Sequence, residues 1–173
     1  MSAEPDFDAL VSRYYQPLYQ FAFSLTRTEA EAGDLTQQTF YIWAAKGGQL
    51  RDRAKVKSWL FTALHREFLN SRRRQTRFPH CELGEADAEL PAVDAVRSEH
   101  LDAVGAVAAL ARLDETFRAP IALFYLEDYS YREIAEILEI PVGTVKSRLS
   151  RGLGQLQQLM AEPAELAGRK GER

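Results

Sequence analysis

The sequence predicts an all-α protein built from two small helical domains joined by a flexible acidic linker. Apolar residues recur at three- and four-residue spacing through two blocks of the chain, as they do on amphipathic helices. Between the blocks this period is lost, and a stretch punctuated by Pro79, Gly84 and Pro91 is rich in acidic residues. In the second block, a serine cap and a proline corner mark two short consecutive helices. The predicted boundaries are 1–77 for the first domain, 78–98 for the linker, 99–160 for the second domain and 161–173 for a frayed tail.

The first domain is predicted to contain three helices. The first spans about 6–26, and Pro17 within it is expected to kink or split the helix. Thr28 offers a cap for the second, whose regular spacing resumes at Asp34 after Gly33. The third spans about 54–74. Its buried side is predicted to consist of Val56, Trp59, Leu60, Ala63, Leu64 and Leu69.

Two helices are predicted to lead into the end of the second domain. The first of them covers about 98–113. Asp114 is then placed to cap the next helix, which Pro120 is expected to bend or to delay.

A helix-turn-helix is predicted to follow. Ser130 and Glu133 have the spacing of a capping box, so a helix should start at Tyr131. Pro141 cannot lie in a helix interior but suits the first turn of a new helix. The chain is therefore expected to turn a tight corner just before Pro141.

The second helix of this corner has two distinct faces. Val145, Leu149, Gly152 and Leu156 share one side and can pack on the preceding helix. The other side carries hydroxyls and long cationic side chains, which can bond to phosphates and base edges in the major groove. The candidate DNA-binding residues on this side and its flanks are Thr144, Lys146, Ser147, Arg148, Ser150 and Arg151. The alternative is an amphipathic helix with an ordinary solvated basic face.

The overall charge does not indicate nucleic-acid binding, because 25 acidic and 22 basic residues give the 173-residue chain a formal net charge of −3. Any such binding must come from local patches. Residues 51–77 form one, with nine basic residues against Asp52 and Glu67. A cationic helix end that complements the helix dipole is the alternative explanation for its last arginines, but not for the basic loop before the helix.

Several function classes are disfavoured. We expect a cytoplasmic protein without membrane insertion, because there is no apolar signal core and no apolar run of roughly 20 residues. The lone Cys81 fits a reducing compartment. His80 and Cys81 adjoin, but no spacing matches a tetrahedral metal site. With no nucleophile elbow or phosphate-cradling loop, we expect neither an enzyme nor a cofactor.

Three stretches resemble one family. EIAEILEIPVGTVKSRLSRG at 133–152 resembles the DNA-binding region 4 of sigma-70-type initiation factors, and above all of the two-domain extracytoplasmic-function (ECF) type. DLTQQTF at 34–40 resembles the family's helix that docks on the clamp of core RNA polymerase. VKSWLFTALHREFLNSRRR at 56–74 resembles the helix that opens the promoter at its −10 element, after a loop that helps to form a pocket for an unpaired base. The resemblance covers roughly residues 7–77 and 101–160.

The resemblance implies three sets of contacts. The six candidate DNA-binding residues on the second helix of the helix-turn-helix, from Thr144 to Arg151, would read the −35 element. The residues implied for binding core polymerase are Asp34, Leu35, Gln37, Gln38 and Phe40. The residues implied for the −10 element are Arg51, Arg53, Lys55, Lys57, Trp59, Arg66, Asn70, Arg73 and Arg74. Gln38 stands where the family usually has Glu, and His65, Arg66 and Asn70 stand where it often has Arg, Asn and Asp.

On this resemblance the chain is expected to be an RNA polymerase sigma factor with core RNA polymerase and promoter DNA as partners. The family adds an anti-sigma factor as a further candidate partner, and we expect the free chain to be a monomer. Each basic face is small, so DNA binding should be weak and salt-sensitive until polymerase aligns both domains. A stand-alone helix-turn-helix regulator would explain residues 129–156 equally well and would bind DNA without polymerase. A third alternative is an interaction protein without a DNA function.

Overall fold

Helices account for every regular element in the computed structural model, which describes residues 6–77 and 101–161. The first domain contains α1 (Phe7–Thr26), α2 (Glu29–Lys46) and α3 (Val56–Arg77), with 3₁₀ turns at Gly47–Gln49 and Arg53–Lys55. The second contains α4 (Leu101–Ala111), α5 (Glu115–Tyr125), α6 (Tyr131–Leu138) and α7 (Val142–Ala161). The all-α prediction is confirmed for these residues. The predicted linker, the tail beyond Ala161 and the His80–Cys81 pair lie outside the described residues.

Of two local predictions in the first domain, one differs from the structure and the other agrees with it. α1 runs through Pro17 without a break, so the predicted split is wrong. Proline removes only one helical hydrogen bond, whereas Leu10, Leu18 and Phe21 on both sides of it are buried and hold the helix together. The predicted cap at Thr28 is confirmed: α2 starts at Glu29, and the Thr28 hydroxyl accepts a hydrogen bond from the Glu31 N–H at 3.3 Å.

The core of the first domain forms where α1 and α2 pack on α3. Its largest fully buried side chains are Leu18, Phe21, Leu25, Leu60, Phe61 and Leu64. Leu69 was expected on this buried side but is 38% exposed, and Phe68 is buried in its place. α3 therefore presents its opposite edge to solvent, and that edge carries the exposed part of the basic segment.

The predicted helix-turn-helix is confirmed as α6 and α7. The Glu133 N–H donates to the Ser130 hydroxyl at 3.3 Å, and the Ser130 N–H donates to the Glu133 carboxylate at 2.8 Å. The Ser130 hydrogen bonds lower the pKa of Glu133. After Leu138 the C-cap Glu139 adopts the left-handed region, with φ of 57°, and the Pro141 carbonyl then accepts from the N–H groups of Thr144 and Val145 in α7. These caps fix the corner between the two helices.

α7 packs closely against α5. Val145 and Leu149 are buried, as the periodicity predicted, and Gly152 faces Ile121. A Cβ at Gly152 would lie 2.9 Å from Ile121 Cγ1 and 3.0 Å from Phe117 Cβ. Only glycine allows this approach without displacing α5, which explains a glycine in a helix interior despite its cost of about 1 kcal/mol.

The two domains also pack against each other. α1 contacts α4 and α5, and α3 contacts α6. The buried Arg118 of α5 donates to the Leu25 carbonyl at the end of α1 at 3.1 Å and to the Leu113 carbonyl at 2.7 Å. Asp114 precedes α5 as predicted, but its side chain makes no capping hydrogen bond. Its N–H instead donates to the Gln155 side chain of α7 at 2.9 Å.

Candidate nucleic-acid interface

The exposed side of α7 carries the residues that the sequence assigned to duplex DNA. Lys146, Ser147, Ser150 and Arg151 are exposed, and we call these four the recognition face. Ser147 donates its hydroxyl hydrogen to the Thr144 carbonyl at 3.1 Å, which leaves its oxygen free to accept. Thr144 and the adjacent Arg148 are half-buried. A rigid helix with two cations and two hydroxyls on one side can contact phosphates and base edges together.

The predicted −10 residues occupy a second basic surface along α3 and the loop before it. Arg51, Arg53, Lys55, Arg66 and Asn70 are exposed, as are the last arginines, whereas Lys57 and Trp59 are half-buried. Asn70, Arg73, Arg74 and Arg77 line a shallow cleft at the end of α3. Cationic side chains are therefore present from the loop to the end of α3. A surface that binds along a nucleic-acid backbone needs such a distribution of charge.

A groove of about 520 Å³ opens beside the loop that precedes α3. The groove is lined by both apolar and cationic side chains. Trp59 and Leu50 form part of its apolar wall, and Lys46, Lys55 and Arg66 contribute positive charge. Glu133, Glu136 and Ile137 of α6 line it from the second domain. We call it the α3 groove. Its volume and its aromatic wall are suited to a planar, polar ligand such as a nucleobase.

The wall of the α3 groove is held in place by two tryptophans. The rings of Trp43 and Trp59 meet edge to face with centroids 5.1 Å apart. Gly47 lies against the first of them, and a Cβ there would come within 2.4 Å of the Trp43 ring. The chain can therefore pass this close to the Trp43 ring at residue 47 only because glycine has no side chain.

The predicted polymerase-binding residues divide into two groups. Asp34, Gln37 and Gln38 are exposed along one side of α2. Leu35 and Phe40 are buried, at 9% and 5% exposure, and the Phe40 ring packs on Phe7 and Tyr15 with centroids 6.5 and 6.4 Å away. These two residues support the surface rather than form it, so substitutions there would report on folding as well as on binding.

Tyr41 is the residue on this surface that sequence reasoning left out of the site. It is 71% exposed and lies on α2 beside the three polar residues, at helical spacing from Asp34, Gln37 and Gln38. The sequence showed that it shares their side of the helix, but an exposed aromatic could not be told from a buried one by spacing alone. Exposed tyrosines surrounded by polar groups are frequent in protein interfaces.

His65 lies on α3 near the second domain. Burial lowers the pKa of its imidazole to about 4, with the nearby Arg148 cation also lowering it and Glu139 raising it. The ring is therefore neutral in the folded chain at neutral pH. An unfolded chain would bind a proton at His65 near pH 6.5.

We expect the free energy of unfolding to fall as the pH is lowered from about 6.5 toward about 4, because the unfolded state then binds a proton that folded His65 rejects. Urea denaturation at several pH values across this window would measure the effect. The pKa of Glu139 is lowered by its hydrogen bond from Arg66, so this carboxylate also favours the folded state less as the pH falls, and a histidine variant is needed to isolate the His65 contribution. The His65→Gln variant should show a smaller decline, and an equal decline in both chains would contradict the assignment.

Among the described residues, no group of three or more histidine, cysteine, aspartate or glutamate side chains is placed to hold a metal ion. Nor does any helix in the described ranges have the length and apolar character needed to cross a membrane.

The fold and its basic surfaces define the class as a two-domain, helical DNA-binding protein. A family model described as Sigma-70 region 2 matches residues 10–78, and one described as Sigma-70, region 4 matches residues 106–156. The chain belongs to the sigma-70 family and is an RNA polymerase sigma factor of the ECF type.

Individual relatives agree with this assignment over most of the chain. The chain is 34% identical over 165 residues to the ECF RNA polymerase sigma factor SigE of Mycolicibacterium smegmatis, covering 93% of this chain and 64% of SigE. It is 30% identical over 155 residues to the ECF RNA polymerase sigma factor SigM of Mycobacterium tuberculosis, covering 89% and 76%. Among solved structures, the sigma factor RpoE of Bartonella quintana, in complex with the anti-sigma factor NepR, matches with a TM-score of 0.70 and 31% identity, covering 90% of this chain and 96% of that one.

Proposed function

We propose that this sigma factor binds core RNA polymerase and directs promoter-specific initiation by reading duplex DNA at the −35 element with α7 and by melting and trapping the −10 element with the first domain. The observation that carries the proposal is the recognition face, four exposed polar side chains on a helix whose other side is buried. Such a helix can enter a major groove without exposing apolar surface.

At the −35 element, the proposed role of the recognition face combines positioning and readout. Arg151 can donate two hydrogen bonds to the edge of a guanine, and the serine hydroxyls can bond to either a phosphate or a base. Lys146 supplies a charge for the phosphate backbone. Thr144 and Arg148 extend the contact toward the α6–α7 corner.

At the −10 element, the first domain must hold a strand that has left the duplex. The α3 groove offers Trp59 as a stacking surface for one unpaired base, and Lys55 and Arg66, which line the same groove, would pair with its flanking phosphates. Arg73 and Arg74 continue the cationic track toward the end of α3. Arg51, Arg53, Lys57 and Asn70 complete the proposed set of contacts.

The proposed docking surface for core RNA polymerase is the exposed side of α2, formed by Asp34, Gln37, Gln38 and Tyr41. Docking fixes the spacing of the two DNA-binding surfaces, so two weak contacts act together as one tight one. An anti-sigma factor is a further proposed partner, since the structurally similar RpoE of Bartonella quintana forms a complex with the anti-sigma factor NepR.

Association with core polymerase separates this proposal from a stand-alone regulator. We expect the purified chain to co-elute with core enzyme on gel filtration and to yield discrete run-off transcripts from a promoter library. Tyr41→Ala should weaken core binding by roughly tenfold, as loss of an interface aromatic does. Tyr131→Ala, which removes an exposed tyrosine from α6, is the matched control. If the chain does not bind polymerase but binds DNA by itself as a dimer, it is instead a stand-alone helix-turn-helix regulator.

A further inference from the structure

A cleft of about 510 Å³ opens in the first domain between the first half of α2 and the second half of α3. We call it the α2–α3 cleft. The buried side chains of Leu35 and Phe68 form its apolar floor. The guanidinium of Arg72, which also lines the cleft, lies over the Phe68 ring at 5.4 Å from the ring centroid. The floor is therefore a surface on which a cationic side chain can pack.

Three carboxylates line the α2–α3 cleft, and they are Glu31, Asp34 and Glu67. None of them forms an ion pair among the described residues, and Glu67 accepts a long hydrogen bond of 3.5 Å from Asn70. The cations of α3 pair with the second domain instead, as Lys57 with Glu127, Arg66 with Glu139 and Arg72 with Glu115. Nor are the three carboxylates placed to share a metal ion. The cleft therefore holds negative charge that the described part of the chain does not pair directly.

Two arginines line the same cleft without cancelling this charge. Arg72 is the partner of Glu115, at 3.2 Å. Arg74 also lines the shallow cleft at the end of α3, where the proposed −10 contacts lie. With one arginine paired elsewhere and the other assigned to DNA, the carboxylates remain available to a cation from a partner.

The α2–α3 cleft is continuous with the surface of α2 that we propose for polymerase. Asp34 and Gln38 belong to both, so a partner that covers Gln37, Gln38 and Tyr41 also covers the opening of the cleft. Along α2 all the acidic residues precede Leu35, and the only basic residue is Lys46 at its end. A partner lying along α2 therefore meets negative charge at one end and the exposed Tyr41 ring toward the other.

We propose that the α2–α3 cleft receives a lysine or arginine side chain of core RNA polymerase, with Glu31 and Glu67 acting beside Asp34 as its acceptors. The inference depends on the proposed function in one respect, that the exposed side of α2 docks on polymerase. The aliphatic stem of such a side chain would pack on the apolar floor while its charged end donates to the carboxylates. A nucleic-acid strand is the wrong occupant, because its phosphates would be repelled by the same carboxylates.

This assignment adds α3 to the docking surface. Glu67 lies on the helix that also carries the proposed −10 contacts, so polymerase would hold α3 directly and not only through α2. Charge pairs at the border of an interface act mainly on the rate of association and on its salt dependence. The salt dependence of core binding is therefore the property that should report the cleft.

Neutralising the two new acceptors tests the inference on the full chain. The test variant is Glu31→Gln, Glu67→Gln, which keeps side-chain size and leaves Asp34 intact. The control is Glu29→Gln, Glu136→Gln. Glu29 is exposed in the same first turn of α2 as Glu31, and Glu136 lines the α3 groove as Glu67 also does, but neither control residue lines the α2–α3 cleft. Circular dichroism confirms folding, and fluorescence anisotropy of the labelled chains measures binding to core RNA polymerase at low and at high salt.

We expect the test variant to bind core enzyme roughly tenfold more weakly than wild type at low salt, and the difference to shrink at high salt, as the loss of an interfacial charge pair predicts. The control should bind as wild type does. The single pair Glu31→Gln and Glu29→Gln gives the same comparison if the double variant does not fold.

The failure of this inference differs from a failure of the proposed function. If Tyr41→Ala weakens core binding while the test variant and its control both bind as wild type at either salt concentration, polymerase docks on α2 but the cleft receives nothing from it, and the inference is overturned. If wild type itself does not bind core enzyme, the proposed function fails and the role of the cleft fails with it.

Discussion

Replacing Phe61 by alanine is expected to lower the free energy of unfolding by about 3–5 kcal/mol. The Phe61 side chain is fully buried, with its ring centroid 5.3 Å from that of Phe21 and 5.8 Å from that of Tyr129. It therefore belongs to the core of the first domain and to the contact between the domains at once. Removing the ring would leave a cavity bordered by both domains, and packed interiors relax only partly into such a space.

Urea denaturation followed by circular dichroism would measure the Phe61→Ala effect. Leu69→Ala is the matched control, because it truncates a large apolar side chain on the same helix that is 38% exposed. We expect this control to change the stability by less than about 1 kcal/mol. A similar loss in both variants would show that α3 is not packed as the structure has it.

Replacing Arg151 by alanine is expected to reduce transcription from cognate promoters roughly 5- to 150-fold, which corresponds to the loss of about 1–3 kcal/mol of base discrimination. Arg151 is exposed on α7, three residues from the half-buried Arg148 and four from Ser147. Because the described part of the chain supplies it with no hydrogen bond or ion pair, its removal should leave the fold unchanged. Core binding should therefore persist.

Run-off transcription with a fixed amount of core enzyme would measure the Arg151→Ala effect. Arg112→Ala removes an exposed arginine from the same domain but lies between α4 and α5, away from the recognition face. This control accounts for the general loss of positive charge. Normal transcription by Arg151→Ala at every promoter would exclude Arg151 from the readout.

The helix-turn-helix could be predicted from the sequence because its signals are local. The capping box joins Ser130 to Glu133, and the corner depends on Pro141 a few residues further on. The same holds for the buried side of α7, where Val145 and Leu149 follow a simple period. Short-range hydrogen bonds and helical spacing are the features that a linear pattern records.

The burial pattern of α3 could be predicted only in part, because neighbours on several sides cover this helix. Periodicity favoured Leu69 for the core, but Phe61 and Phe68 are buried and Leu69 is exposed. α3 packs on α1 and α2 within its own domain and on α6 of the other. A helix that is covered from two directions has a wide buried surface, so a single apolar stripe does not describe it.

The ion pairs between the domains could not be predicted at all. Arg66 and Glu139 are 73 positions apart, and the sequence contains many other carboxylates and cations that could pair as well. Basic composition identified the surface of α3, but a charge pattern does not say which partner faces it. Such pairings follow from the tertiary arrangement, and the packing of α6 on α3 decides them here.

The contact between Trp43 and Trp59 makes the tryptophan fluorescence of this sigma factor a probe of its first domain. Trp43 and Trp59 are the two tryptophans of the chain; Trp59 lines the α3 groove, and the buried Trp43 packs against it. Tryptophan emission therefore originates entirely from the first domain, where an unpaired base stacked on Trp59 would quench it. Strand capture and release could be followed in real time on the unlabelled protein, without a dye that disturbs the groove.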